Sequence, residues 1–411
     1  MGPNTWVYLG SYSLSLLGNG VASVLFPLLV LAKTGDILAA GVLASVTAAV
    51  AAVVGVLAGV VVDRVNRRTV AIVSDVLSAL SVAAVPLVDA LWGLNLTWFI
   101  VLGVIGSLGD MPGMTARETM LPRLVQLAGG RVGALDRLVG VREALAGALM
   151  LIGPGIGGLL VWAFGVTSTA LLITAGMSLA AALASLALSP RAGDVARGDE
   201  VAPRGGVRGV LVELVSGWRF LLGHRLVRGA SLLSAVLVAV IAALQATILP
   251  AYFTAEELPQ FSGFAATGIA VGGLLSAGVY AATVGKVSRR TWFVIGMVGL
   301  VVGFSAIGAL AAPWLVLAAA VLVGLTNGPM SAALGVATIE ATPDAMRGRV
   351  LGAQNALMLA APALTAAPIA AVASGFGLLA AGIGVAGVIV VTAVVALIAP
   401  AFRSLDADPR T

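Results

Sequence analysis

Long apolar runs separated by short polar breaks recur along this 411-residue chain, and the pattern predicts twelve helices over 6–32, 37–62, 70–92, 95–115, 138–164, 167–189, 229–251, 262–284, 291–311, 313–337, 350–374 and 376–399. Most of these runs exceed the ~18 residues that carry a helix across a bilayer. The charge sits in every second break. Arg64, Arg67 and Arg68, then Arg117 to Arg142, Arg191 to Arg228, Lys286, Arg289 and Arg290, Arg347 and Arg349, and Arg403 and Arg410 all fall on one side of such a weave, leaving only Lys33 on the other. Short cationic loops resist translocation. The sequence therefore reads as an all-α polytopic membrane protein with its N- and C-termini cytoplasmic, and the first run as a spanning helix rather than a cleaved signal.

The tryptophans test this segmentation independently. Trp6 and Trp292 fall at predicted inner ends, Trp92, Trp98, Trp162 and Trp314 at outer ends, and Trp218 in an interfacial segment, as expected of an aromatic belt. The one long polar stretch, Ser189 to Arg208, contains Pro190 and Pro203 with four glycines, four arginines and three acids. It divides the chain into an N-terminal six-helix bundle over 1–189, a cytoplasmic linker over 190–228 and a C-terminal six-helix bundle over 229–411. Within the linker, Leu211, Leu214, Val215, Trp218, Leu221 and Leu222 recur at helical spacing between Glu213, Arg219 and Arg225. Two readings fit: an amphipathic helix on the inner leaflet, or an extension of the seventh spanning helix.

The halves echo each other. Asn66-Arg67-Arg68 has a counterpart in Ser288-Arg289-Arg290, Pro27 in Pro250, and Glu118 with Pro122 in Glu340 with Pro343, at offsets of 221 to 223 residues. Repeated anchors at one offset predict two pseudo-symmetric bundles related by an axis along the membrane normal, a plan typical of secondary transporters.

Composition narrows the chemistry. Apolar residues make up 60% and charged residues 10%, so the net charge of +5 reads as the inside signature beside anionic lipid rather than as a nucleic-acid surface. With no cysteine and His224 the only histidine, neither a metal site nor a catalytic triad is expected, and no cofactor is implied. Gly285-Lys286 lacks the flanking residues of a phosphate-binding loop, and neither a nucleophile elbow nor a zinc-protease pair occurs, which argues against an ATPase or an intramembrane enzyme. The excess of arginine over lysine amid Ala, Gly and Val suggests a GC-rich bacterial source.

Polar groups inside the runs are few. Asn19, Asp110, Gln245 and Asn327 lie deep in the first, fourth, seventh and tenth segments. A buried charge is costly in lipid and usually faces a cavity, whereas Asn and Gln can equally join helices by hydrogen bonds. Asp75, Asp110, Arg142 and Glu143 sit about 6 to 9 Å inside the cytoplasmic face at ~1.5 Å per residue, which suggests an ion network there. A static structural network is the plainer reading of Asp75, Arg142 and Glu143. His224, Asp36, Asp89, Glu256 and Glu257 are expected to be solvated.

The loop Gly59-x-x-x-Asp63-Arg64-x-Asn66-Arg67-Arg68 resembles the signature loop of the major facilitator superfamily, with Asn66 where the family usually has glycine. Gly153-Pro154-Gly155-Ile156-Gly157-Gly158, with Gly140 upstream and Leu149 in place of an expected glycine, is similar to the antiporter motif of its drug exporters. Arg117 to Val125 and Arg347 to Gly352 resemble the macrolide-efflux and siderophore-exporter branch, whose first helix often carries an acid where this chain has Gly18-Asn19.

The resemblance implies the twelve-helix major facilitator fold and a bacterial cell-membrane location. It also implies a secondary transporter, expected to be a monomer, exporting hydrophobic or amphipathic small molecules in exchange for protons by alternating access. Asn19, Gln245 and Asn327 would line the substrate cavity, while Asp110, Asp75, Glu143 and Arg142 would be candidates for proton coupling. Asp63 would meet the N-terminal end of the eleventh helix, and an arginine of the loop would pair with Asp110 or Glu118. A lipid or lysolipid transporter of the same fold, or a passive facilitator or channel, are the alternatives.

Overall fold

The computed structural model describes residues 2–62, 64–130, 133–194, 206–283, 286–343, 346–403 and 405, without side-chain detail at 56, 59, 60, 136 and 206–214. It is all-helical. The first six spanning helices are α1 (Pro3–Thr34), α2 (Ile37–Val62), α3 (Arg67–Leu91), α4 (Leu96–Leu127), α5 (Ala134–Phe164) and α6 (Leu171–Leu186). A shorter helix, α7 (Gly206–Gly223), precedes α8 (Arg225–Ala255), α9 (Phe261–Thr283), α10 (Arg289–Gly308), α11 (Pro313–Ala341), α12 (Arg347–Phe376) and α13 (Leu378–Ile398). Twelve of these helices are long and apolar enough to cross a membrane.

Local chemistry sets the boundaries. Asn66 accepts hydrogen bonds from the backbone N–H groups of Arg68 and Thr69 at the start of α3, Asn95 from Trp98 at the start of α4, and Ser288 from Thr291 at the start of α10. Each supplies an acceptor to donors that a helix N-terminus leaves unpaired. Gly35 closes α1 in the left-handed region at φ 66°, where a side chain would be strained, and lets the chain turn into α2 within two residues.

Two differences from the sequence reading stand out. α4 does not end near 115 but continues to Leu127, carrying Arg117, Glu118 and Arg123 with it. The reason is that Arg117 is buried against Asp75, so its charge is satisfied within the bundle and does not terminate the helix. α7 is a separate helix: His224 breaks it from α8, accepting the Val227 N–H and stacking on Phe220 with ring centroids 5.6 Å apart. His224 is thus a helix cap and not merely a solvated side chain. Leu221 of α7 is buried with Val227, Val350 and Ala353, docking the helix against α8 and α12.

The chain forms two compact units, Met1–Arg197 with Gln245–Thr267, and Gly198–Leu244 with Gly268–Thr411. In the first, α3 packs on α4 and α6, and α1 on α5 and α6; in the second, α10 packs on α11 and α13, and α8 on α12. The same neighbours therefore recur in both halves. The flanks are apolar and exposed, for example Leu80, Leu87 and Leu91 on α3 and Ile383, Val391, Val394, Val395 and Ile398 on α13, as lipid-facing surfaces require. Trp6, Trp92, Trp162 and Trp314 are exposed near helix ends. Lys33 pairs with Asp89 at 2.8 Å, and Ser168 donates to the same carboxylate at 2.5 Å, so Asp89 joins three segments and is not simply solvated.

Candidate functional site

Close helix approach comes first. A Cβ at Gly109 would stand 2.9 Å from the Ser74 carbonyl oxygen, and one at Gly113 would stand 2.7 Å from the Ser74 Cβ. Glycine at both positions lets α3 and α4 meet nearly backbone to backbone. Their contact brings Asp75 of α3 against Arg117 of α4. Both side chains are buried, and Arg117 Nη2 donates to Asp75 Oδ2. Ser15 of α1 donates to Asp75 Oδ1 at 3.0 Å, and Tyr8 donates to the Arg117 carbonyl at 3.0 Å.

A second cluster lies beside it. Arg142 of α5 donates to Glu118 at 2.8 Å and to Glu143 at 2.6 Å, and its guanidinium lies 5.0 Å from the Tyr12 ring centroid. Tyr12 stacks on Tyr8, which links the two clusters. Both acids are largely exposed while Arg142 is buried, and its Nε–H lacks a partner among the described residues. Asp75 and Arg142 thus belong to two adjacent ion clusters, not to one network with Asp110.

Asp110 makes no ion pair with either cluster among the described residues. It lines a cavity of about 350 Å³ among α1, α2, α3 and α4, together with Asn19, Thr47, Ser78, Ser81 and Ser107. Phe26, Leu43, Met111 and Met114 supply apolar walls, and Asp110 is the only charged residue in the lining. Asn327 lines a different cavity of about 330 Å³ in the second unit, with Ser331, Thr338 and Gln354. Gln245 lines neither; it sits on a π-helical turn, Leu244–Ile248, in the middle of α8.

In the signature loop, Gly59 falls near the end of α2, Asp63 lies outside the described residues, and Arg64 is exposed in the turn. Arg67 donates to the Thr119 carbonyl at 3.1 Å. Arg68 donates to the carbonyls of Ser185 and Leu186 at 3.1 and 2.6 Å, closing the C-terminus of α6. Neither arginine pairs with Asp110 or Glu118, because backbone carbonyls hold both, and Glu118 is taken by Arg142. Asn66, besides capping α3, donates to Pro190 and Asp194, so it ties the loop to the start of the linker.

On α5, Gly153 packs on Gly20 of α1, where a Cβ would come within 2.9 Å of the Gly20 Cα, and Gly157 packs on Val24. Gly158 faces Gln260 and Phe264, and a Cβ on Gly263 would strike the Pro154 carbonyl. Thr267 donates to the Leu151 carbonyl at 2.9 Å, one turn before Pro154. Small residues thus serve two faces of one helix. Arg117, Tyr8, Tyr12 and Ser15 were not singled out as site residues by sequence reasoning. For the three residues of α1 the signal was a polar stripe, Tyr8, Ser11, Tyr12, Ser15 and Asn19, at helical spacing on an otherwise apolar segment.

Twelve spanning helices, two repeated halves and polar clusters inside them define a multi-pass membrane transporter rather than an enzyme. Residues 8–283 match the Major Facilitator Superfamily. The chain is 33% identical to the "Multidrug efflux pump Tap" of Mycolicibacterium fortuitum over 95% of its own length and 94% of the relative's. It is 32% identical to the protein of the same name in Mycobacterium tuberculosis (strain ATCC 25618 / H37Rv), over 96% and 92% of the two chains. Among solved structures, the nucleoside transporter NupG superposes with a TM-score of 0.76 at 15% identity, covering 99% of this chain and 100% of that one. A D-xylose-proton symporter gives 0.64 at 15% identity, covering 94% and 96%. The protein belongs to the major facilitator superfamily and is a multi-pass protein of the bacterial cell membrane.

Proposed function

We propose that this protein exports hydrophobic or amphipathic, drug-like small molecules in exchange for protons, by alternating access of bundles 1–189 and 229–411 joined by the linker 190–228. The cavity that holds Asp110 carries this reading: one carboxylate and several hydroxyls in an apolar pocket of about 350 Å³ suit an amphipathic ligand. The efflux names of its relatives supply the direction. Asn19 orients the ligand, and Asn327 and Gln245 contribute from their own segments. Asp110 is the coupling group. Its carboxylate takes up a proton from the outer side and yields it inward, so that the protonated and substrate-bound forms exclude each other.

In this reading Asp75 is a brace, since Arg117 and Ser15 already occupy it. Arg142 with Glu143 acts beside the loop of Gly59, Asp63, Arg64, Arg67 and Arg68, which clamps α3 to α4 and α6 at the cytoplasmic end. Gly153, Pro154, Gly157 and Gly158 let α5 slide on its neighbours without steric obstruction. Proteoliposomes with an imposed pH step test the whole. Uphill movement of a fluorescent amphipathic dye that stops when the gradient is collapsed is expected. Equilibration without accumulation would mean a passive facilitator, and movement of labelled lysolipid in place of the dye would mean a lipid carrier.

A further inference from the structure

In the second unit, a groove of about 730 Å³ runs between α8 and α13. Its mouth carries Arg225 and Arg228, and its floor is the segment Pro400, Ala401 and Phe402. The walls are apolar: Leu232, Val236, Val391 and Val395 line it, and no acid does. Thr392 spends its hydroxyl on the Val388 carbonyl at 2.7 Å, so the polarity is confined to the mouth. Leu232, Val391 and Val395 are about half exposed, as surfaces open to lipid are.

The floor is built rather than loose. Phe402 is buried, stacks on Phe293 with centroids 4.8 Å apart, and presents its carbonyl to Arg290 at 2.8 Å. Gly229 lies against the tip of the Phe402 ring, where a Cβ would come within 2.9 Å of Cζ. Arg228 donates one N–H to the Leu222 carbonyl at 2.9 Å and keeps further donors for the mouth, while Arg225 makes no hydrogen bond or ion pair among the described residues.

We propose that this groove binds an anionic glycerophospholipid of the inner leaflet, its phosphate at Arg225 and Arg228 and one acyl chain along α8 and α13. Length supports that occupant. Arg225 to Val236 spans about 16 Å at ~1.5 Å per residue, close to half of the ~30 Å hydrocarbon core. The groove is therefore one leaflet deep, with its cations at headgroup level on the arginine-rich side of the protein. A soluble phosphate would use the mouth but not the walls.

Delipidated protein in a neutral detergent tests this by thermal unfolding and native mass spectrometry, with phosphatidylglycerol, phosphatidylcholine or glycerol phosphate added. Phosphatidylglycerol should raise the melting temperature by at least about 3 °C and remain bound in the gas phase, while the other two should not. Arg225→Gln should reduce the shift severalfold, and Val395→Trp, which fills the groove without changing charge, should abolish it. Equal shifts with phosphatidylcholine, an equal effect of glycerol phosphate, or a full shift in Val395→Trp would each overturn the proposal. If Arg225→Gln does not fold, the Val395→Trp comparison decides alone.

Discussion

Asp75 of α3 and Arg117 of α4 form an ion pair in which both side chains are buried, 2% and 4% exposed, with Ser15 of α1 as the third partner. Such a pair adds little net stability over an apolar pair of the same size, but losing one member leaves a buried charge uncompensated. Asp75→Asn or Arg117→Ala should therefore each cost about 3 to 5 kcal/mol. The double variant Asp75→Leu with Arg117→Met should recover most of it. Unfolding in mixed micelles measures this, and additive losses in the double variant would show that the two residues do not act as a pair.

Helix crossings make a contrasting prediction on α5. Gly153 meets the Gly20 backbone, which cannot yield, whereas a Cβ on Gly147 would meet nothing within 4 Å. Gly153→Ala should destabilise by about 1 to 3 kcal/mol through overpacking, while Gly147→Ala should be neutral or slightly stabilising because alanine favours the helix. The same unfolding assay, run on the pair, separates packing from a general loss of glycine. Comparable effects at both sites would remove the assigned role of Gly153.

The duplication was legible in the sequence to the level of individual side chains. Asn66 and Ser288 lie 222 residues apart and both cap the third helix of their half. Arg68 and Arg290 are likewise equivalent: one closes the last turn of α6, and the other bonds to Phe402 just beyond α13. Partner choice was not legible. Arg289 forms a two-pronged bridge with Glu340 at 2.5 and 2.9 Å, yet its counterpart Arg67 ignores Glu118. Arg142, which has no equivalent in the repeat pattern, competes for that acid. Spacing also could not show that Arg117 enters the bundle, because the charge looked like a loop until Asp75 was seen opposite it.

Arg289→Gln should accordingly be mild. The bridge is partly exposed, with side-chain exposures of 32% and 40%, so its loss should cost about 0.2 to 1 kcal/mol and less at high salt. A salt titration of unfolding in wild type and variant checks the sign. A cost above about 2 kcal/mol, insensitive to salt, would point to a buried network rather than a surface pair.

Asn66 replaces a family glycine and performs two tasks, so its substitutions should separate them. Asn66→Ala loses the cap and should cost about 1 kcal/mol, whereas Asn66→Gly should lose only a few tenths from the cap itself. Both also lose the bonds to Pro190 and Asp194 at 3.1 and 3.2 Å. Faster proteolysis of the linker in both variants, with stability lowered mainly in the alanine one, is the expected result. Unchanged linker cleavage would mean that the Asn66 amide does not hold the segment.

Asp110 separates coupling from scaffolding most directly, because it lines the cavity and makes no ion pair among the described residues, in contrast to Asp75. Asp110→Asn keeps the shape and fixes the site in its neutral form, so the protein should fold but bind amphipathic dye severalfold more weakly than wild type, as the protonated form does. Transport driven by a pH step should fall to the background level, and dye exchange at zero gradient should persist with a flat pH dependence. Asp110→Glu, with the carboxylate displaced by about 1.5 Å, should retain coupling at a reduced rate. The decisive readout is the ratio of driven to undriven dye flux in the same proteoliposomes. A variant Asp110→Asn that keeps the wild-type ratio would move the coupling group elsewhere, with Glu143, exposed and paired with Arg142, next to be tested.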